Sequence, residues 1–286
     1  MIDVHTHCHR AEHWGPEWDK NWRPVYGGHD FADQSPAVFD KAMKEAGVKV
    51  ACTFGLRATR AGVDTPNEHV QWFCENTDTP TIGFMSLDLS DDDVMDQLAD
   101  GLARGLRGVK LYPVLAHFDP RDTKHDAFYR AATEAGLVLL WHMGATPSPE
   151  GMLELSQPLV VDEVARRHPE LVQIIAHMGH PWQRETMIIL RKNRRVFSDV
   201  SASWARPMDG RLALVRAQEW GAVDKLLFGS DFALWTPAQA VAGLRELAAT
   251  KVSGMPDVHP DTLAQILDGN PLAALGLDKR PDGATW

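Results

Sequence analysis

The feature that most constrains the fold is an alternation of short β-rich apolar runs with longer amphipathic segments along the whole chain. This alternation predicts eight strands, which are Ile2–His5, Val48–Phe54, Thr81–Leu87, Arg107–Tyr112, Leu137–His142, Val172–His177, Val196–Val200 and Lys225–Gly229. Strands that alternate with helices form parallel sheets, and eight β/α units favour closure into a barrel.

The amphipathic segments between the strands carry helix-terminating signals. Ser35 is a plausible N-cap for the first predicted helix, and Gly47 follows its last residue. Gly105, Gly136 and Gly221 also precede predicted strands, where a left-handed residue commonly ends a helix. The predicted helices are Pro36–Ala46, Asp93–Arg104, Ala127–Ala135, Leu159–His168, Trp182–Lys192, Arg211–Trp220, Pro237–Ala249 and Asp261–Leu267.

The expected architecture is therefore an α/β protein, a (β/α)8 TIM barrel that forms one domain over residues 1–286. A doubly wound open sheet is the alternative, but no Gly-x-Gly-x-x-Gly motif follows the first strand. One long loop, Cys8–Gln34, follows strand one and carries Trp14, Trp18 and Trp22. Loops of that length in compact domains are usually functional, so we expect a lid or cap there.

Charge and composition restrict the partners. The formal net charge of −10 argues against nucleic acid, because phosphate backbones require a basic surface. No apolar run approaches the roughly 20 residues that span a bilayer, and a strand predicted at residue 2 leaves no room for a signal peptide. The three cysteines lack Cys-x-x-Cys spacing, which favours a cytoplasmic protein without disulfides. We expect a small-molecule substrate, no nucleic acid or membrane partner, and possible assembly into a homo-oligomer.

Residues with metal-binding or acid–base chemistry stand at the ends of the predicted strands. Two imidazoles, His5 and His7, are spaced so that they share one face of strand one. Strands five and six end in His142 and His177, and strand eight runs into Asp231. Active sites of β/α barrels lie at the carboxyl ends of the strands, so the pattern predicts a metal site at one rim.

The motifs resemble the amidohydrolase superfamily, in particular its amidohydrolase 2 branch of metal-dependent hydrolases and decarboxylases. The resemblance is carried by Asp3-Val4-His5-Thr6-His7, Gly108-Val109-Lys110-Leu111-Tyr112-Pro113, Ala176-His177-Met178-Gly179, Phe228-Gly229-Ser230-Asp231-Phe232 and Ile266-Leu267-Asp268-Gly269-Asn270-Pro271. These motifs extend over nearly the whole chain. The resemblance implies a distorted β/α barrel with one divalent metal ion, usually Zn²⁺ and sometimes Mn²⁺.

The resemblance also implies roles for individual residues. His5, His7, His142 and Asp231 would hold the metal. His177 would act as a general acid/base or polarise the substrate, and Asp231 would also accept a proton from the attacking water.

Four further residues are candidates for substrate binding. Lys110 on strand four is expected to bind a substrate carboxylate or oxyanion, and its carboxylation to bridge two metals is the alternative that the superfamily suggests. Arg57 after strand two could clamp a carboxylate, while Tyr112 and Trp204 could line the pocket.

The function favoured by these features is metal-dependent hydrolysis of a C–N or C–O bond, of amide or lactone type, in a small organic substrate that is carboxylate-bearing or aromatic. Non-oxidative decarboxylation of an aromatic or unsaturated carboxylic acid is the main alternative. A phosphoesterase or nuclease would be expected to place an acidic ligand on strand four, where this chain has Lys110. A non-catalytic binding protein on the same barrel would be expected to have lost some of the ligands.

Overall fold

The computed structural model describes residues 1–26, 33–280 and 283–286, and its centre is a sheet of eight parallel strands. We number these barrel strands in chain order as β1 Ile2–His7, β2 Val50–Phe54, β3 Thr81–Ser86, β4 Gly108–Leu111, β5 Val138–Trp141, β6 Val172–Ile175, β7 Val196–Asp199 and β8 Leu226–Leu227. Each strand pairs in parallel with the next one along the chain. All eight predicted strands are present, with ends that differ by at most a few residues.

The sheet closes between its first and last strands. The amide of Val4 donates to the carbonyl of Phe228 (3.0 Å), and Thr6 forms a parallel bridge with Phe232. The predicted (β/α)8 TIM barrel is therefore confirmed, and the open doubly wound sheet was the wrong alternative. Closure places the residues that follow β8 beside the end of β1.

Alternation along the strands divides the core into two layers. Val138 and Leu140 belong to one apolar cluster, whereas Leu139 and Trp141 belong to the other. The first cluster also receives Leu272, Leu275 and Leu277 near the end of the chain, while the second packs the barrel against the surrounding helices.

Twelve α-helices are present in the described part of the chain. They are Arg23–Tyr26, Pro36–Ala46, Asn67–Glu75, Val94–Ala103, Pro113–Ala116, Asp126–Glu134, Leu159–Arg167, Gln183–Lys192, Pro207–Glu219, Pro237–Ala249, Pro260–Asp268 and Leu272–Leu275. The Ser35 hydroxyl accepts from the amide of Val38 (3.4 Å), as its predicted N-cap role requires. Gly47, Gly105, Gly136 and Gly221 all have the predicted positive φ, between 61° and 76°. None of the described helices is long and apolar enough to cross a bilayer.

Three predictions needed correction. A helix at Asn67–Glu75 and a two-stranded hairpin, Arg57–Ala58 with Val63–Asp64, lie between β2 and β3, where no element was predicted. The helix predicted from Arg211 begins at Pro207. The loop after β1 contains a 3-10 helix at Ala11–Trp14 and a π-helix at Trp18–Trp22; its residues 27–32 lie outside the described chain.

Candidate active site

The end of β1 and the loop after β8 bring two imidazoles and a carboxylate together. Nε2 of His5 and Nε2 of His7 each lie 3.3 Å from Oδ1 of Asp231. The backbone holds this arrangement, because the amide of Asp231 donates to the carbonyl of His5 (2.9 Å) and Asp231 has a φ of 60°. Backbone in this left-handed region is uncommon for residues other than glycine and often occurs at functional sites.

His177 and His142 approach the same point from β6 and β5. The ring centroid of His177 lies 4.8 Å from that of His5 and 5.1 Å from that of His142. Nδ1 of His177 lies 4.0 Å from Oδ2 of Asp231. Nε2 of His142 donates to the carbonyl of Ala145 (3.2 Å), which leaves its lone pair on Nδ1.

Burial keeps the imidazoles of His7, His142 and His177 neutral. It lowers the pKa of His7 to about 4, an effect that the hydrogen bond with Asp231 offsets only in part. It also holds the pKa values of His142 and His177 well below the usual range for histidine. Burial alone would raise the pKa of Asp231, but the imidazoles of His177, His5 and His7 outweigh that effect and hold it well below normal. Neutral imidazole and ionised carboxylate are the forms that bind metal ions.

Asp199, at the end of β7, is a buried carboxylate that the sequence analysis did not single out. Its Oδ2 accepts from Nδ1 of His5 (2.9 Å), and its Oδ1 accepts from the amides of His177 (3.0 Å) and Ser201 (3.1 Å). The hydroxyl of Ser201 also contacts Oδ1 of Asp199 and lies 2.7 Å from Nδ1 of His177. A carboxylate at the carboxyl end of a predicted strand was the signal that could have identified Asp199.

Lys110 on β4 lies beneath this cluster and is 1% exposed. Its Nζ is 3.4 Å from Nε2 of His5 and 4.8 Å from the centre of the Phe54 ring. Burial lowers the pKa of Lys110 to about 8, against the opposing influence of Asp231 and Asp199. The side chain therefore adds a cationic donor beside the imidazole of His5.

The cluster opens into a cavity of about 610 Å³, part of which is open to solvent. One wall is aromatic and comes from the segment after β1. Its members are Trp14, Trp22 and Tyr26. Trp235 and Arg206 also line the cavity, and Arg206 is hydrogen-bonded to Tyr26.

The charges around this cavity favour an anion. Asp231 is its only carboxylate among the residues that the structure describes, whereas Lys110 and Arg206 supply cations. His9 and His180 also line it and are buried. A substrate with a carboxylate group would therefore find both a coordinating cluster and separate cationic groups.

Of the four residues predicted to bind substrate, two line the cavity and two do not. Lys110 and Tyr112 line the cavity; the Tyr112 ring packs against His142, and its hydroxyl donates to Thr146 (3.1 Å). Arg57 lies elsewhere, in a surface depression, where Asp64 and Asp91 hold its guanidinium.

Trp204 also lies outside the cavity lining. Its ring packs against Trp235 at 5.7 Å, and its Cγ would lie 2.6 Å from a Cβ at Gly243. It supports Trp235, which does line the cavity. Arg206 follows Trp204 by two positions and lines the cavity, and it is the cationic residue that sequence reasoning missed.

The residues present fit a divalent metal ion. Nitrogen and oxygen ligands on a tetrahedral ion, with bonds of about 2.0–2.1 Å, are separated by roughly 3.3 Å. His5 and His7 show that separation from Asp231, which is longer than most N–H···O hydrogen bonds. Ligand atoms of His5, His177 and Asp231 all lie within 4.8 Å of one another. Asp199 holds Nδ1 of His5, which directs Nε2 to the site, as supporting carboxylates do around metal-bound histidines.

Comparison with known proteins finds one matching family model and many solved structures of similar fold. A family model described as amidohydrolase matches residues 2–277. No curated protein matches the chain.

Solved structures with the same fold include three enzymes from bacteria. A probable 2-pyrone-4,6-dicarboxylic acid hydrolase from Acinetobacter baumannii, with citric acid bound, is 16% identical, with a TM-score of 0.65 over 96% of this chain and 98% of that one. The 5-carboxyvanillate decarboxylase from Sphingomonas paucimobilis is 13% identical, with a TM-score of 0.67 over 96% and 98%. A zinc-bound amidohydrolase from Burkholderia multivorans is 16% identical, with a TM-score of 0.65 over 96% and 99%. At these identities the similarity establishes the fold alone.

Proposed function

The chain belongs to the amidohydrolase family, and we propose that it is a metal-dependent hydrolase of a C–N or C–O bond, of amide or lactone type. The substrate we propose is small and bears a carboxylate or an aromatic ring. The observation that carries this proposal is a single cavity that combines the His5, His7 and Asp231 cluster with two cations and aromatic walls.

We assign one divalent ion to this cluster, with His5, His7, His142 and Asp231 as the ligands. Zn²⁺ suits imidazole and carboxylate donors best, and Mn²⁺ is the second choice. When bound, such an ion supplies Lewis acidity and lowers the pKa of a water molecule toward about 7. The structurally similar amidohydrolase that contains zinc supports the choice of metal.

The remaining chemistry is assigned to the chain's own side chains. Oδ2 of Asp231 accepts a proton as water attacks, and His177 transfers a proton to the leaving atom. Lys110 and Arg206 bind the substrate carboxylate and hold the scissile bond next to the cluster. The tryptophans after β1 exclude bulk water, which strengthens every charge interaction in the cavity.

Decarboxylation of an aromatic or unsaturated acid is the second candidate. The aromatic walls favour a flat ring, and similar folds include both a hydrolase and a decarboxylase. In that reaction the same cations would bind the carboxylate that is lost, and His177 would deliver a proton to carbon.

Product analysis in ¹⁸O-labelled water separates the two reactions. Purified protein is incubated with panels of lactones, amides and aromatic acids, while CO₂ is monitored. Hydrolysis predicts ¹⁸O in the product carboxylate and no CO₂ release. Release of CO₂ without ¹⁸O in the organic product would overturn the hydrolase assignment in favour of the decarboxylase.

Metal analysis tests the ligand assignment independently of any substrate. The purified protein should contain about one transition-metal ion per chain. The double variant His5→Ala/Asp231→Asn should lose it, because two of the proposed ligands are removed. The matched control is His259→Ala/Asp261→Asn, which makes the same changes at exposed positions. Full occupancy in the first double variant would contradict the site.

The cellular setting remains part of the proposal. We place the enzyme in the cytoplasm, because Cys8, Cys52 and Cys74 are all free thiols. Its partner is a small-molecule substrate, and assembly into a homo-oligomer stays a prediction.

A further inference from the structure

We infer that Ser201 is a positioning residue that fixes His177 with its proton on Nδ1 and its lone pair on Nε2. The inference starts from Asp199, whose carboxylate is fully buried yet surrounded by donors. Its Oδ2 accepts from His5, and its Oδ1 faces three donors on His177 and Ser201. An ionised carboxylate can only accept hydrogen bonds, so every neighbouring polar hydrogen must point toward it.

That constraint determines where the single proton of the Ser201 hydroxyl lies. The Oγ atom is in hydrogen-bond contact with Oδ1 of Asp199 and 2.7 Å from Nδ1 of His177. Because Asp199 cannot donate, Ser201 must donate its hydroxyl proton to Asp199. The oxygen of Ser201 is then left as an acceptor toward His177.

Nδ1 of His5 also lies 3.4 Å from this oxygen, but its proton is donated to Asp199 at 2.9 Å, so the donor that meets Ser201 is an N–H at Nδ1 of His177. A neutral imidazole carries one N–H, so Nε2 of His177 holds the lone pair. In the opposite arrangement Ser201 would donate to Nδ1, and its lone pairs would then face the charged oxygen of Asp199 at close range. Lone pairs that face a buried carboxylate are strongly unfavourable, because the low dielectric magnifies their repulsion.

The two histidines are thereby oriented by one carboxylate. Nδ1 of His5 donates directly to Asp199, and Nδ1 of His177 is linked to it through Ser201. In both rings Nε2 is the nitrogen that carries the lone pair. His5 presents that lone pair beside Asp231, and His177 has its own available for a proton.

The consequence for catalysis rests on the proposed function. In the resting enzyme His177 is a proton acceptor at Nε2, so it cannot first donate a hydrogen bond to the substrate. It must first take up at Nε2 the proton that Asp231 has accepted from the attacking water, and then give that proton to the leaving nitrogen or oxygen. The Nδ1 proton stays in place throughout, and the imidazole ends the cycle as it began.

The tautomer can be measured directly, without any substrate. Histidine is labelled with ¹⁵N, the His177 resonances are identified by comparison with His177→Gln, and long-range ¹H–¹⁵N correlations are recorded with and without zinc. We expect Nδ1 to be protonated and Nε2 to be of the unprotonated, pyridine type in the metal-free protein. Protonation of Nε2 in the wild-type protein would overturn the inference.

Variants test the role of the hydroxyl. Ser201→Ala should mix the two tautomers of His177, whereas Ser201→Thr retains the hydroxyl and should keep the proton on Nδ1. Ser198→Ala is the matched control, since it removes another buried hydroxyl of the same region, one that donates to the carbonyl of Ile175 (2.6 Å). An unchanged Nδ1 tautomer in Ser201→Ala would contradict the inference.

Activity gives an independent readout. With a substrate found in the ¹⁸O assay, Ser201→Ala should lower kcat about 10- to 100-fold, while KM and zinc affinity change less than about threefold. Loss of kcat and zinc affinity together would instead show that Ser201 acts on the whole cluster. If no hydrolysis is found but Nδ1 is protonated, the proposed function fails and the assigned tautomer stands.

Discussion

Nδ1 of His5 lies 2.9 Å from Oδ2 of Asp199, and both side chains are completely buried. This contact joins the first strand of the barrel to the seventh, directly behind the cluster that we assign to a metal ion. Because Nδ1 of His5 donates its proton to Asp199, the nitrogen that faces Asp231 is Nε2.

Asp199→Asn should therefore weaken metal binding without removing any ligand. Loss of a carboxylate that supports a metal-bound histidine typically lowers affinity by about 10- to 100-fold. Competition with a zinc chelator measures this change. Asp224→Asn is the control, because this substitution removes the same negative charge at an exposed position. Equal zinc affinities in the two variants would refute a role for Asp199 in holding His5.

Gly229→Ala should damage the same cluster by crowding. A Cβ at Gly229 would lie 2.8 Å from Cβ of His5 and 3.2 Å from Cβ of Asp199. β1 or β7 must then move, which we expect to cost about 1–3 kcal/mol in the free energy of unfolding and at least about tenfold in zinc affinity. Urea denaturation and chelator competition measure the two effects. If Gly229→Ala had the wild-type free energy of unfolding and the wild-type zinc affinity, the predicted crowding would be contradicted.

Trp14→Ala should destabilise the segment after β1. Trp14 is 1% exposed, and its ring lies 4.7 Å from that of Trp22 and 4.9 Å from that of His9. Removing so large a buried side chain is expected to lower the free energy of unfolding by about 3 kcal/mol. Trp220→Ala, at a position 42% exposed, should cost about 1 kcal/mol or less, and equal costs would contradict the packing role.

Acid should destabilise the fold through His125. Burial lowers the pKa of His125 to about 4, below the value of about 6.5 in an unfolded chain. The unfolded chain therefore binds a proton first as the pH falls. The stability that depends on a neutral His125 is complete above about pH 6.5 and is lost progressively down to about pH 4.

His125→Gln should make the free energy of unfolding less dependent on pH. Between about pH 7.5 and about pH 5, we expect the wild type to lose about 1 kcal/mol more than the variant. Urea denaturation at a series of pH values provides the measurement. His259→Gln, at an exposed position, should keep the wild-type dependence. Parallel curves for wild type and His125→Gln would contradict the prediction.

The sequence predicted the barrel well because its strands are short apolar runs with clear boundaries. It missed the helix at Asn67–Glu75, whose described buried residues are only Asn67, Val70 and Phe73. So few apolar positions leave little periodicity to detect. The helix forms because it packs against β3, which is a tertiary contact that a local pattern does not contain.

Residues on strand ends were easier to place than residues on loops. His5, His142 and His177 have positions dictated by the sheet, and they converge as the barrel geometry requires. Arg57 and Trp204 depend on loop conformation, which is set by partners such as Asp91 and Gly243 that are distant in sequence. Arg206 reaches the cavity for the same reason, and no motif distinguishes it from a surface arginine.

The position of the cluster at the closure of the sheet links ligand binding to the integrity of the barrel. His5 and His7 belong to the first strand, and Asp231 lies in the loop after the last one, so an ion bound by all three would link the two edge strands of the closed sheet. Metal binding and closure of the sheet would then be coupled equilibria. A bound ion would stabilise the closed barrel by mass action. Removal of the metal would then weaken the contact between β1 and the loop after β8 and leave the packing of the helices on the strands unchanged.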